Sequence, residues 1–97
     1  MGVMRQSWKD FTNSTTYVVP VNTNPGTPGQ YRLFLVVNNY RTDVIRAQLA
    51  SGEYIASIRS TLTSDTARDL SVSYDGTNLT LEYSATIYGG IRVLLLD

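Results

Sequence analysis

The 97-residue sequence contains neither cysteine nor histidine. Without cysteine there is no disulfide framework and no thiolate metal site. Without histidine, the usual general base and the commonest metal ligand are both missing. Serine is abundant, but a serine nucleophile needs a base that this chain does not supply. The sequence therefore predicts a non-enzymatic protein with no catalytic residues, no metal site and no cofactor.

An excess of charge of one sign is also lacking, because eight lysine and arginine residues balance eight acidic residues. No run of like charge occurs, so binding to nucleic acid is not expected. No apolar run approaches the ~18 residues of a membrane span, and the first residues lack the apolar core of a signal peptide. We therefore predict no insertion into a membrane.

What the chain has in quantity is short alternating segments rich in β-branched and aromatic residues. Alternation with a period of two is typical of strands that bury one face. Glycine, asparagine, aspartate and proline separate these segments. The predicted strands are residues 15–21, 30–37, 44–50, 53–62, 70–74, 79–87 and 91–96. This pattern predicts an all-β fold, a small antiparallel β-sandwich or jelly roll of seven to eight strands.

The chain is predicted to form a single β-sandwich domain over residues 1–97, with residues 1–14 as an N-terminal lead-in segment. Residues 22–29 contain two prolines and two glycines and are expected to form a surface loop. Pro20 cannot donate to a β-ladder, so its strand is expected to lie at a sheet edge or to end there.

Residues 63–69 are a polar connection, in which one helical turn capped by Ser64 or Asp65 is an option. Asp65 and Asp69 are close in sequence, and a glycosidase needs two convergent carboxyl groups. We interpret them instead as a helix cap and a turn residue, because catalytic pairs normally come from separated elements that form a cleft.

Residues 70–97 are expected to form three antiparallel strands joined by two hairpins. Asp75-Gly76 and Gly89-Gly90 supply the positive φ angles that tight turns need. The last strand has apolar residues on both faces, so it lies either in the centre of a sheet or against another subunit. We favour the subunit contact. The predicted interface residues are Ile91, Val93, Leu94, Leu95 and Leu96.

Two polar turns contain the candidate binding residues. Exposed tyrosine and arginine are common in sugar-binding faces and in protein hot spots. The predicted ligand-binding residues are Asn38, Asn39, Tyr40, Arg41, Asp75 and Asn78. Asp75 and Asn78 also have oxygens suited to calcium, but an Asp-Gly hairpin explains the same residues, so no metal site is predicted.

The N-terminal 17 residues contain a short motif that runs from Gly2 to Thr12 and continues in Thr16-Tyr17. It resembles a segment of bacteriophage tail-fibre and related virion proteins, Gly-Met-Gly-Val-Gly-Gln-(Ser/Thr)-Trp-x-Asp-(Val/Phe)-Thr, which leads into a Thr-Tyr strand and a small β-rich tip domain. The matching residues are Gly2, Val3, Gln6, Ser7, Trp8, Asp10, Thr12 and Tyr17. Met4 and Arg5 depart from the pattern, and Val18-Val19-Pro20 replaces the usual Asn-Thr-Thr-Gly-Arg-Pro-Ile continuation.

The resemblance implies a virion protein, made in the host cytoplasm, that forms a homotrimer. It also implies that a tail-fibre tip domain of this kind binds a host-surface glycan or protein through three weak, identical contacts. The residues leave two alternatives open. One is a monomeric carbohydrate-binding or adhesion module, and the other is a purely structural capsid or baseplate protein.

Overall fold

A computed structural model of the chain describes residues 6–23, 30–63 and 67–96. These residues form eight strands and no helix, which confirms the predicted all-β fold. The strands are β1 (Ser7–Asp10), β2 (Ser14–Val19), β3 (Tyr31–Val37), β4 (Thr42–Ala50), β5 (Glu53–Thr63), β6 (Leu70–Tyr74), β7 (Leu79–Ile87) and β8 (Ile91–Leu96). Ser64 and Asp65, the predicted helix caps, lie outside the described residues, as does most of the predicted 22–29 loop. Within the described ranges, no helix is long and apolar enough to cross a membrane.

The strands form two antiparallel sheets, as in a small β-sandwich. One sheet has five strands in the order β1-β8-β3-β4-β5, and the other has three in the order β2-β7-β6. Both sheets contribute large apolar side chains to one core, among them Tyr17, Phe34, Ile45 and Leu81. Alternate residues point into this core, because successive side chains of a strand lie on opposite faces of the sheet.

The two sides of the sandwich differ. Along one side, β5 approaches β6, so the two sheets are in contact there. On the other side, the edge strands β1 and β2 are separated by an open groove. The groove gives a ligand or a partner a route to side chains that lie between the sheets.

The last strand corrects one prediction, and the first strand adds an element. The predicted lead-in segment includes β1, which pairs with β8 over Ser7–Asp10. The predicted Gly89-Gly90 hairpin is wrong, because β7 and β8 belong to different sheets. Gly89 and Gly90 do have positive φ angles, 92° and 77°, but their turn carries the chain from one sheet to the other. Since β8 lies between β1 and β3, its position inside a sheet accounts for its two apolar faces.

A register shift in β5 changes which of its residues face the core. Ile45 pairs with Ile58 but Val44 pairs with Ser60, so β5 has an extra residue at this point. Such a bulge reverses the alternation beyond it. As a result the Thr61 hydroxyl reaches the buried Asp43, while Leu62 is 60% exposed.

Local sequence explains two features of the backbone, and the first confirms the prediction for Pro20. β2 is an edge strand and ends at Val19, directly before Pro20. Ser51 and Gly52 connect β4 and β5 with φ angles of 52° and 81°. Two successive positive φ angles are the geometry of the two-residue turn that suits the twist of a hairpin.

Candidate functional site

The side chain of Asn38 organises the turn between β3 and β4, where four of the predicted ligand-binding residues lie. Its Oδ1 accepts hydrogen bonds from the backbone amides of Tyr40 at 2.7 Å and Arg41 at 2.9 Å. Its Nδ2 donates to the hydroxyl of Tyr83 at 3.1 Å, and Tyr83 belongs to the opposite sheet. Asn38 therefore shapes the turn and ties the two sheets together, and its amide group is already used within the fold.

Arg41 corrects the expectation that this turn exposes a cation. It is only 8% exposed, and Asp43 is completely buried. The Arg41 guanidinium donates to both carboxylate oxygens of Asp43, each at 2.8 Å, and also to the backbone carbonyl of Arg68. The hydroxyl of Thr61, turned inward by the bulge in β5, donates to Asp43 at 2.7 Å. Hydrogen bonding to Asp43 raises the pKa of Arg41 further above its ordinary value, so the guanidinium remains charged.

The other two residues of the turn also have partners within the fold. The ring of Tyr40 lies 3.7 Å from the guanidinium carbon of Arg68, and its apolar part packs against the core. Asn39 is exposed, and its Nδ2 donates to the backbone carbonyl of Tyr88 at 3.0 Å. The turn between β3 and β4 therefore contacts the segment before β6 and the segment after β7. These contacts leave little of its polar surface free for a ligand.

The second predicted site, the turn from Asp75 to Asn78, closes the hairpin between β6 and β7. Asp75 Oδ1 accepts hydrogen bonds from the amides of Thr77 at 2.9 Å and Asn78 at 2.6 Å. These bonds lower the pKa of the exposed Asp75 carboxyl. No group of three or more potential acidic or sulfur ligands that could hold a metal occurs within the described parts of the chain. Asp75 and Asn78 therefore stabilise the hairpin turn between β6 and β7, which was the favoured interpretation.

The two predicted turns do not form one site. Asn39 contacts Tyr88, just beyond the end of β7, whereas Asn78 precedes its start. Nine residues of strand separate these points, which is about 30 Å at about 3.3 Å per residue. A small ligand cannot touch both turns of one subunit.

The outer side of the five-stranded sheet is apolar. Leu35 lies in register between Leu94 on β8 and Val44 on β4, and Leu33 lies beside Leu96. We call the outward side chains of this region the apolar face: Leu33, Leu35, Val37, Val44, Leu94 and Leu96. All six are half-buried, since solvent reaches them only from outside the sheet.

The structure divides the predicted interface residues between the two sides of β8. Ile91, Val93 and Leu95 are at most 9% exposed and belong to the core, so they cannot contact another subunit. Their place in the interface prediction is therefore corrected. Leu94 and Leu96 lie on the apolar face, where a contact with another subunit stays a prediction.

The apolar face is the centre of a larger surface. With about 3.3 Å per residue and about 4.8 Å between strands, the whole outer side of the five-stranded sheet covers roughly 600 Å². The apolar face occupies the three middle strands of this sheet, β8, β3 and β4. Arg46 lies beside Leu33, with its guanidinium carbon 4.4 Å from the ring of Tyr31. Its Nε is buried and has no hydrogen-bond partner among the described residues.

Sequence reasoning missed the groove between β1 and β2, which has a volume of about 390 Å³. We call it the β1–β2 groove. It is lined by Trp8, Lys9, Asp10, Phe11, Val18, Val19, Pro20, Ile91 and Val93. Phe11 and Val18 are 58% and 59% exposed at its rim, while Trp8 packs edge-to-face on Phe34 with ring centroids 6.1 Å apart. The three-residue spacing of Trp8 and Phe11 was the only signal, and it indicates neither a strand nor a groove.

Comparisons of the chain with protein-family models, curated proteins and solved structures found no match. The resemblance of the N-terminal residues to tail-fibre proteins is therefore neither supported nor contradicted by a relative. The apolar face and the β1–β2 groove are the two surfaces from which function can be argued.

Proposed function

We propose that this chain is a non-enzymatic component of a bacteriophage virion, a tail-fibre tip domain that forms a homotrimer and binds a receptor on the host surface. The apolar face is the observation that carries the proposal. Leucine and valine side chains aligned across neighbouring strands lose contact with water when the same faces of three subunits meet around a three-fold axis. A tip domain that works by avidity needs such a self-contact, because three weak sites then bind as one unit.

The size of the sheet supports a second copy of the chain as the partner. A contact that covers the whole outer side of the five-stranded sheet, roughly 600 Å² per subunit, buries about 1,200 Å² in total, which is the lower limit for a stable interface.

Sedimentation velocity of the purified protein at micromolar concentration tests the proposal. The expected result is a species of three times the 10.8 kDa chain mass. Leu35→Glu places a charge at the centre of the apolar face and is expected to give folded monomers. Val18→Glu, at an exposed apolar position on the smaller sheet, is the control and should leave the trimer intact. A wild-type monomer at this concentration would contradict the proposal.

A purely structural capsid or baseplate protein is the second candidate. It is favoured by one observation, that the polar groups of both predicted binding turns are engaged within the fold. A glycan array probed with the purified protein separates the candidates. Binding by a trimer supports the tail-fibre proposal, whereas a stable oligomer that binds no glycan favours the structural candidate. Binding by a monomer points to the carbohydrate-binding module.

A further inference from the structure

Two unpaired cations lie side by side where the apolar face meets the β1–β2 groove. Lys9 on β1 is directly opposite Arg92 on β8, and both side chains are exposed. Neither forms an ion pair with a residue in the described parts of the chain. Like charges at directly opposed positions of antiparallel strands repel each other. An anion bound between the ammonium and the guanidinium would remove this repulsion and gain hydrogen bonds to both groups.

An aromatic ring lies next to this cation pair. The guanidinium carbon of Arg92 is 5.3 Å from the centroid of the Phe11 ring, which is itself largely exposed. Phe11 also lines the β1–β2 groove, whose volume of about 390 Å³ lies within the range of small-ligand sites. Lys9, Arg92 and the Phe11 ring therefore form a corner. A ligand that has both a carboxylate and a ring of its own can bind there through both groups.

The bounding strands are poorly suited to pairing with an added polypeptide strand. β1 has only four residues and carries Lys9, while β2 ends directly before Pro20. Short length, lysine and proline are features by which edge strands avoid pairing with other chains. These observations favour a compact ligand over an extended peptide in the groove.

The nearest carboxylate does not compete for the cations. Asp10 points to the side of β1 that carries Trp8, whereas Lys9 points to the other side. Asp10 Oδ1 accepts hydrogen bonds from the amide of Thr12 at 3.0 Å and from its hydroxyl at 2.7 Å. The second oxygen, Oδ2, has no hydrogen-bond partner among the described residues, so it can still accept a hydrogen bond.

We propose that the corner formed by Lys9, Phe11 and Arg92 binds an acidic pyranose, a sugar ring that bears a carboxylate, as in a uronic acid. The carboxylate lies between the two cations, and the C–H face of the ring packs on Phe11. The ring hydroxyls point towards the mouth of the groove. This ligand class rests on the receptor-binding part of the proposed function, but it does not depend on the number of subunits.

NMR titration of the ¹⁵N-labelled protein with glucuronate, glucose and acetate tests the inference. Glucuronate is expected to shift the amide signals of β1, Phe11 and Arg92, and to bind about tenfold or more tightly than either other compound, because only it has both a carboxylate and a ring. High salt should weaken the binding, since exposed charges are screened. Equal affinity for glucose would overturn the role of the cations, and equal affinity for acetate would overturn recognition of the ring.

Charge-removing variants locate the site. Lys9→Gln and Arg92→Gln are each expected to lower glucuronate affinity about tenfold, the effect of losing one charge-assisted hydrogen bond. Arg59→Gln removes an exposed cation from β5, the opposite edge of the same sheet, and should leave the affinity unchanged. Equal losses in all three variants would overturn the proposed location. Sedimentation of the same samples shows separately whether the trimer is present, so the two proposals can fail independently.

Discussion

Replacing Arg41 with methionine tests whether the predicted binding turn is in fact a structural element. The substitution keeps an apolar stem of similar length and removes the guanidinium. The buried Asp43 carboxylate then has the Thr61 hydroxyl as its side-chain donor among the described residues, and the carbonyl of Arg68 loses a donor. Leaving one member of a buried ion pair uncompensated typically costs about 3–5 kcal/mol.

A loss of this size is large for a small domain, whose total stability is about 5–15 kcal/mol. Urea unfolding of purified Arg41→Met, followed by circular dichroism and by the fluorescence of the single tryptophan, Trp8, measures it. Arg59→Met is the matched control, because Arg59 is exposed and its replacement is expected to change stability by less than about 0.5 kcal/mol.

A double variant makes the test specific to the ion pair. Adding Asp43→Leu to Arg41→Met removes the stranded carboxylate, so the double variant should be more stable than Arg41→Met alone. A loss below about 1 kcal/mol in Arg41→Met would refute the structural assignment. If Arg41→Met instead bound a ligand less tightly at unchanged stability, Arg41 would be a binding residue.

Two more predictions concern the backbone and pH. A Cβ at Gly90 would collide with the backbone of Asp10 and Phe11, so Gly90→Ala should lower the melting temperature more than Gly52→Ala, which has a similar φ but open space around it. Burial raises the pKa of Tyr83 to about 12, so its stabilisation is complete below pH 10 and is lost as the pH rises towards 12. Urea unfolding should show a weaker pH dependence over this range in Tyr83→Phe; equal slopes would contradict it.

The predicted strands show what local pattern can and cannot reveal. The alternation in residues 70–74 and 79–87 predicted β6 and β7 with matching bounds. β1 was missed because four residues around Trp8 show no period, and they form a strand only by pairing with β8. The bulge in β5 was missed for a similar reason, since an extra residue is defined only by its register against β4.

The candidate sites depended even more on tertiary structure. Arg41 was expected to be exposed because the sequence around it is polar, yet Asp43 and the Arg68 carbonyl bury it. The β1–β2 groove joins residues near position 10 with residues beyond position 90. No sequence spacing predicts such a contact without knowledge of which strands pair.

The sequence by itself determined the all-β fold, the bounds of β6 and β7 and most of the turns. These features follow from local causes, namely the two-residue period of strands and the φ preferences of glycine, asparagine and proline. Only the tertiary structure decided which sheet each strand joins, which face of β8 is left outside, and which polar side chains are buried. Those outcomes depend on pairing between distant segments, which a local pattern does not encode.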